Sequence, residues 1–243
     1  MTLLLLAGTG EAKDIAKGLA KAGVDAVASL AGATRQPKAL AIPTRVGGFG
    51  GTGGFRAYLE EAGITAVLDA THPFAHRITD RTAAICTEIG LDYVQFLRAP
   101  WEPQDGDNWT QITSEAEAAD FVTEGQTVFL GTGRQTLDRF ANLQGCRVIC
   151  RQIDSPTGPF PFEGGEFLVG RPPFPVADEV ALFERLGVDW LIVKNAGGTR
   201  SETKLTAARQ LGLPVLMIKR PLMPDGVKLN NVDDALVWTK AHV

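Results

Sequence analysis

The stretch Leu3-Leu4-Leu5-Leu6-Ala7-Gly8-Thr9-Gly10-Glu11-Ala12-Lys13-Asp14-Ile15-Ala16 constrains the fold more than any other. Four consecutive leucines suit a buried strand of a parallel sheet. Gly8-Thr9-Gly10 then permits a tight turn, and Ile15 and Leu19, four apart, mark one face of a helix. A strand, turn and helix in this order aim backbone N–H groups and the positive end of a helix at one point. That arrangement suits a nucleotide phosphate. The third glycine of the dinucleotide fingerprint would fall at Lys13, so the fingerprint is incomplete, and an ordinary strand-to-helix turn stands as the alternative.

A chain of 243 residues accommodates one large or two small domains. Its 44% hydrophobic content supplies a sizeable core, and a net charge of −4 argues against general nucleic-acid binding. The leucine run is too short for a signal sequence or a membrane span. Cys86, Cys146 and Cys150 are few, odd in number and lack C-x-x-C spacing, which reads as buried free thiols. A soluble cytoplasmic α/β protein is expected, with no membrane partner.

Val24 to Leu30 reads as a second buried strand. The end of such a strand selects the adenosine ribose in a dinucleotide fold, an acid there favouring NAD and a nearby base NADP. Here the end carries Ser29, with Arg35 close behind, which points to NADPH; a surface arginine is the alternative. Gly47-Gly48-Phe49-Gly50-Gly51-Thr52-Gly53-Gly54 costs much chain entropy unless the backbone takes unusual angles or lies against something, and it is read as a ligand-hugging loop. The strand Ala66 to Ala70 ends in Thr71-His72-Pro73-Phe74-Ala75-His76. His72 and His76 are four apart, but Pro73 keeps His72 out of the following helix and no third ligand is near, so no metal is expected. His72 is instead a candidate polar contact or proton donor.

Prolines with Asp, Gly and Asn between Arg98 and Trp109 mark a domain boundary near residue 100. The domains expected are 1–100 and 101–243. The second repeats the opening: Thr127-Val128-Phe129-Leu130 runs into Gly131-Thr132-Gly133-Arg134, and a helix carrying Leu137, Phe140 and Ala141 is expected behind it. Two Rossmann-like α/β halves with parallel sheets facing a shared cleft follow from this duplication. Asp154 to Glu163 reads as a lid or a mobile loop. Arg134, Lys194, Arg200, Lys204, Lys219 and Arg220 fall at expected strand ends of the second half. In an acidic protein such a cluster suits a partner with several carboxylates or phosphates, solvated surface charge being the alternative. There is no Tyr-x-x-x-Lys, no G-x-S-x-G and no Walker motif. Hydride transfer needs little beyond holding two reactants together and excluding water, so it remains open.

Taken together, Gly8-Thr9-Gly10-Glu11, the Val46 to Gly51 loop, Asp69-Ala70-Thr71-His72-Pro73-Phe74-Ala75, Arg98-Ala99-Pro100-Trp101, Gly131-Thr132-Gly133-Arg134-Gln135, Lys194-Asn195-Ala196-Gly197-Gly198 with Lys204, and Lys219-Arg220-Pro221 resemble the precorrin-6A reductase family of cobalamin biosynthesis nearly end to end. Where many members carry Lys-Asp-Ser-Gly, this chain has Lys194-Asn195-Ala196-Gly197. The resemblance implies an NADPH-dependent oxidoreductase reducing one ring double bond of a metal-free polycarboxylate tetrapyrrole, precorrin-6A, to precorrin-6B. NADPH would occupy the first domain, held by Gly8, Thr9, Gly10, Glu11, Gly48, Phe49, Gly50 and Thr71, with Ser29 and Arg35 reading its adenosine phosphate. Arg134, Lys194, Asn195, Gly197, Gly198, Lys204, Lys219 and Arg220 would hold the substrate in the second, with His72 or solvent giving the proton. A cobalt-bearing substrate and a non-catalytic NADPH sensor are the alternatives. The sequence leaves the oligomeric state open.

Overall fold

The leucine run folds as strand β1 (Thr2–Leu6), and all four leucines are buried. The computed structural model describes residues 1–32 and 39–243. From β1 the chain continues through α1 (Gly10–Lys21), β2 (Ala26–Leu30), β3 (Thr44–Val46), α2 (Gly51–Glu61), β4 (Ile64–Asp69), α3 (His76–Ile89) and β5 (Asp92–Phe96). Next come β6 (Asn108–Ile112), β7 (Thr127–Leu130), β8 (Arg147–Gln152), β9 (Gly165–Val169), α4 (Val176–Leu186), β10 (Trp190–Lys194), α5 (Thr203–Leu211) and β11 (Pro214–Ile218). A two-residue strand, β12 (Lys228–Leu229), and α6 (Val232–His242) close the chain.

Two units result, Met1–Ala99 with Pro221–Val243, and Pro100–Arg220. In the first, six parallel strands lie in the order β12-β5-β4-β1-β2-β3. Leu3 and Leu5 join Ala12, Ile15, Ala16 and Leu19 of α1 and Ala235 of α6 in one core layer. Leu4 and Leu6 join Phe55 and Leu59 of α2 and Ile85 and Cys86 of α3 in another. A strand covered on both faces has no solvated side to show, so its leucines run without alternation.

The second unit has its own six parallel strands, β6-β11-β10-β7-β8-β9. Phe129, Ile149, Leu191, Val193 and Val215 pack with Phe183 of α4 and Leu205 and Ala208 of α5. The segment after β7, expected as an α-helix, is a 3₁₀ segment, Arg134–Phe140, broken by non-helical angles at Thr136. Leu137 and Phe140 are still buried there. The proline-rich segment around Asp154 to Glu163 is tied down by Phe160, whose ring lies 4.8 Å from those of Phe162 and Phe167.

The expected domain 101–243 is corrected at its end. The first unit takes back Pro221–Val243 because β12 pairs with β5 and α6 packs on α1. Gly18 of α1 is fitted to this contact, since a Cβ there would stand 2.5 Å from Leu236 Cδ1. With β12 in place the sheet acquires the 3-2-1-4-5-6 spatial order of a dinucleotide-binding fold. Counting from β7, the second sheet has the same order, its sixth position filled by β6.

Candidate active site

In the first sheet the chain leaves β1 for β2 on one side and returns to β4 on the other. The carboxyl ends of β1 and β4 therefore flank the switch point where open α/β sheets place ligands. Gly8-Thr9-Gly10 follows β1 there. Thr9 caps α1, its Oγ1 accepting from Ala12 N at 3.1 Å while donating to the Ala70 carbonyl at 2.9 Å. One hydroxyl thus ties the turn to the loop after β4. Glu11, in the first turn, is paired with Arg98 at 3.1 Å, and both side chains are largely buried. Burial lowers the Arg98 pKa against the pull of that carboxylate. The pairing removes the repulsion that an unpaired carboxylate would present to an anion at this helix end.

Ser29 ends up buried near the end of β2, where its Oγ accepts from Arg45 of β3 at 2.7 Å. Arg35 lies outside the described residues. Arg45 also donates to the carbonyls of Gly47 and Gly48 at 2.9 and 3.0 Å, and its guanidinium stands 4.0 Å from the Phe49 ring centre. That ring packs on Phe55 at 4.8 Å and Tyr58 at 5.2 Å, so the half-buried Phe49 anchors the loop on this core. Gly54 is required, because a Cβ would sit 1.8 Å from the Phe49 carbonyl oxygen. Gly50 takes a left-handed conformation (φ 74°) to cap α2. Gly48 has neither constraint: its φ is ordinary and a Cβ would meet nothing within 4 Å. A glycine with no internal reason leaves the backbone open to close approach, which fits a phosphate or ribose lying on the loop.

After β4, the buried Asp69 organises the Thr71-His72 segment. Its carboxylate accepts from Thr71 N at 3.0 Å, Thr79 Oγ1 at 2.7 Å and Tyr93 OH at 3.3 Å. Burial raises the Asp69 pKa, and these donors only partly restrain it. Burial, with the Asp69 charge, raises that of Tyr93. The Thr71 and Thr79 hydroxyls are 3.3 Å apart. His72 is exposed, outside α3, which begins at His76. Its Nδ1 accepts from Phe74 N at 3.2 Å, an assignment that leaves the proton of the neutral ring on Nε2.

In the second unit, the loops after the adjacent strands β11, β10 and β7 carry the expected substrate residues. Lys194, ending β10, donates to Thr136 Oγ1 at 3.0 Å and lies 3.5 Å from the buried carboxylate of Glu115. Burial lowers the Lys194 pKa against the pull of Glu115. Asn195 is committed to the backbone of Trp101, accepting from its N at 2.8 Å and donating to its carbonyl at 2.9 Å. Its own carbonyl accepts from Arg220 Nε at 2.7 Å. Asn195 therefore shapes the loop, whose Gly197 and Gly198 take positive φ of 66° and 82°. Lys204 is buried, its stem 3.4 Å from where a Cβ on Gly131 would stand, its Nζ donating to the Ser201 carbonyl and lying 5.1 Å from the Trp101 ring. Arg134, Arg200 and Lys219 are exposed. The edge thus mixes outward cations with two held lysines, a surface able to take several carboxylates.

Sequence reasoning missed Arg45, Asp69 as an organiser and Glu115. Arg45 was signalled only by standing just before the glycine run. Glu115, in Ser114-Glu115-Ala116-Glu117, has the look of a solvated helix start and gave no signal.

A family model described as precorrin-6x reductase CbiJ/CobK matches residues 2–240. A precorrin-6A reductase of Rhodobacter capsulatus is 39% identical over 241 residues, covering 99% of this chain and 96% of that protein. A cobalt-precorrin-6A reductase of Priestia megaterium is 26% identical over 254 residues, covering 96% of each. A solved structure of a precorrin-6A reductase, CobK, superimposes with a TM-score of 0.95 at 39% identity, covering 100% of this chain and 97% of its own. With its two six-stranded sheets matched over this length, the chain belongs to the precorrin-6x reductase family.

Proposed function

We propose that this chain is an NADPH-dependent reductase that converts precorrin-6A to precorrin-6B by reducing one ring double bond. The observation that carries the reading is the unequal chemistry of two sheets of like order. One carboxyl edge offers backbone, a capped helix end and an open glycine loop, which suit a dinucleotide; the other offers cations, which suit a polycarboxylate. NADPH supplies the hydride when bound. Thr9 fixes the turn whose N–H groups receive its phosphates, Gly48 and Gly50 let the backbone approach it, and Ser29 lies near the ribose-reading end of β2. Arg134, Lys219 and Arg220 draw in the substrate carboxylates, with Lys194 and Lys204 held beneath them.

Reduction adds a hydride to a ring carbon and a proton to its neighbour. His72, exposed and with its ring proton on Nε2, is the residue assigned to that proton, solvent being the alternative source. A His72→Ala variant that keeps its turnover at saturating NADPH would remove the role. The lower identity to the cobalt-precorrin relative favours the metal-free substrate. Three buried free thiols suit a cytoplasmic setting, and among the described residues no helix is long and apolar enough to cross a membrane.

The test is NADPH oxidation with and without precorrin-6A, with NADH in parallel and product mass as readout. Substrate-dependent oxidation giving a dihydro product is expected. Binding of NADPH without oxidation would direct the assay to the cobalt-bearing ring, and failure there would leave a sensor, for which the cationic edge has no use.

A further inference from the structure

We infer that Arg45 is the residue that receives the adenosine 2′-phosphate and so sets the preference for NADPH over NADH. The inference rests on the cofactor reading above and goes beyond it by naming the residue. Arg45 sits on β3 directly across from Ser29 of β2, the two being register partners. That is the place in this sheet order where an acid would bind a ribose hydroxyl or a base would receive a phosphate.

The surroundings of Arg45 are those of an anion receptor rather than of a structural ion pair. Its guanidinium donates to one hydroxyl and two carbonyls, Ser29 Oγ, Gly47 O and Gly48 O, through its two terminal nitrogens. Phe49 and Tyr58 lie against it with ring centres at 4.0 and 5.1 Å. These contacts fix the plane of the guanidinium, yet none of them carries a negative charge. Among the described residues no carboxylate is paired with it. Arg81 of α3 adds a second cation 6.0 Å from the same Phe49 ring.

A guanidinium has five N–H donors, and three are used here, leaving Nε–H and one terminal N–H for a phosphate. The hydroxyl of Ser29 accepts from Arg45, so its own proton is left to donate to the same anion. Gly47 and Gly48 flank the group without Cβ atoms, and a Cβ on either would meet nothing within 4 Å. Held plane, unmatched charge and open backbone coincide at one spot. Arg35, which follows this strand end more closely in sequence, is the competitor.

The test compares affinities within one preparation, so that loss of folded protein cancels. Dissociation constants for NADPH and NADH, and for the fragments 2′,5′-ADP and 5′-AMP, are measured on the wild-type, Arg45→Gln, Arg45→Lys and Arg35→Ala proteins. A lost charge-assisted contact predicts that Arg45→Gln weakens NADPH and 2′,5′-ADP by about 10- to 100-fold. NADH and 5′-AMP should move by less than about threefold in the same variant. Arg45→Lys keeps the charge without the fork and should fall between wild type and Arg45→Gln. Equal weakening of both coenzymes by Arg45→Gln would make Arg45 a loop anchor only. An unchanged preference in Arg45→Gln, with the preference lost in Arg35→Ala, would move the role to Arg35. A wild-type protein with no preference for the 2′-phosphate would refute the cofactor reading and this assignment with it.

Discussion

Removing the Glu115 carboxylate tests whether Lys194 is held by a buried charge. The Glu115 and Lys194 side chains are 5% and 12% exposed, so Glu115→Ala strands an ammonium in a place that water barely reaches. Breaking a buried pair from one side costs about 3–5 kcal/mol. Thr136 continues to accept from Lys194, which places the expected loss at the low end, about 3 kcal/mol. The second partner of Glu115, Arg139, is 65% exposed, and its share is small. For a chain of this length the loss corresponds to a fall in Tm of roughly 6–12 °C. The double variant Glu115→Ala/Lys194→Met removes both charges and should recover about 2 kcal/mol relative to the sum of the single changes. Urea denaturation of the four proteins at pH 7 gives the cycle. The Glu115 carboxyl titrates below its ordinary value of 4.5: burial pushes it up, but hydrogen bonds from Thr136, its own backbone N–H and Arg139, with the Lys194 charge, more than offset this. Its folded pKa is depressed, so its contribution is complete above the ordinary carboxylate value and is lost as pH falls through the depressed one. Wild type should therefore lose stability on acidification across that window, and Glu115→Ala should show a flatter limb. Additive single changes, or acid limbs that superimpose, would refute the argument.

Gly54→Ala drives a Cβ into the Phe49 carbonyl and must displace the glycine loop; NADPH affinity should fall by more than about tenfold, with far-ultraviolet circular dichroism unchanged. Thr9→Val loses both the α1 cap and the bond to Ala70, and about 1–2 kcal/mol of stability should go with a raised KM for NADPH, read by melting and steady-state kinetics. Gly18→Leu forces α1 from Leu236 and should cost about 1–3 kcal/mol in urea denaturation, relieved in part by Leu236→Ala.

The parts of the fold that a pattern can carry were legible. Leu3 to Leu6 have no alternation because both faces are buried, and the spacing of Ile15 and Leu19 gave the face of α1. The boundary near residue 100 was visible in Pro100 and Pro103, since prolines and turn formers interrupt both periodicities. The return of the chain to the first unit was not: β12 is two residues long, and Lys228-Leu229 is too short to show a period. At the site, turn glycines and clustered cations could be read because their residue types are unusual. Which of them point outward depends on partners remote in sequence. Asn195 is consumed by Trp101 and Lys194 is matched by Glu115, and nothing within either loop encodes those distances.

The duplicated Gly-Thr-Gly turn shows how one local sequence acquires two environments. After β1, the threonine hydroxyl caps a twelve-residue helix and reaches the Ala70 carbonyl, so the turn is tied on both sides and opens a helix whose first N–H groups have no intrahelical acceptor. After β7, Gly133 takes φ 72° and ψ 176°, no side chain caps the 3₁₀ segment, and the Thr132 hydroxyl reaches no farther than the Gly133 carbonyl at 3.4 Å. The macrodipole needs aligned turns of helix, and a short, kinked 3₁₀ segment supplies few. Lys204, lying on Gly131, occupies the space beside this second turn and places a side-chain cation there. The first copy thus presents the N-terminus of a regular helix and the second presents side-chain charge. That difference suits a phosphate in one unit and scattered carboxylates in the other, although the strand order and the turn are the same.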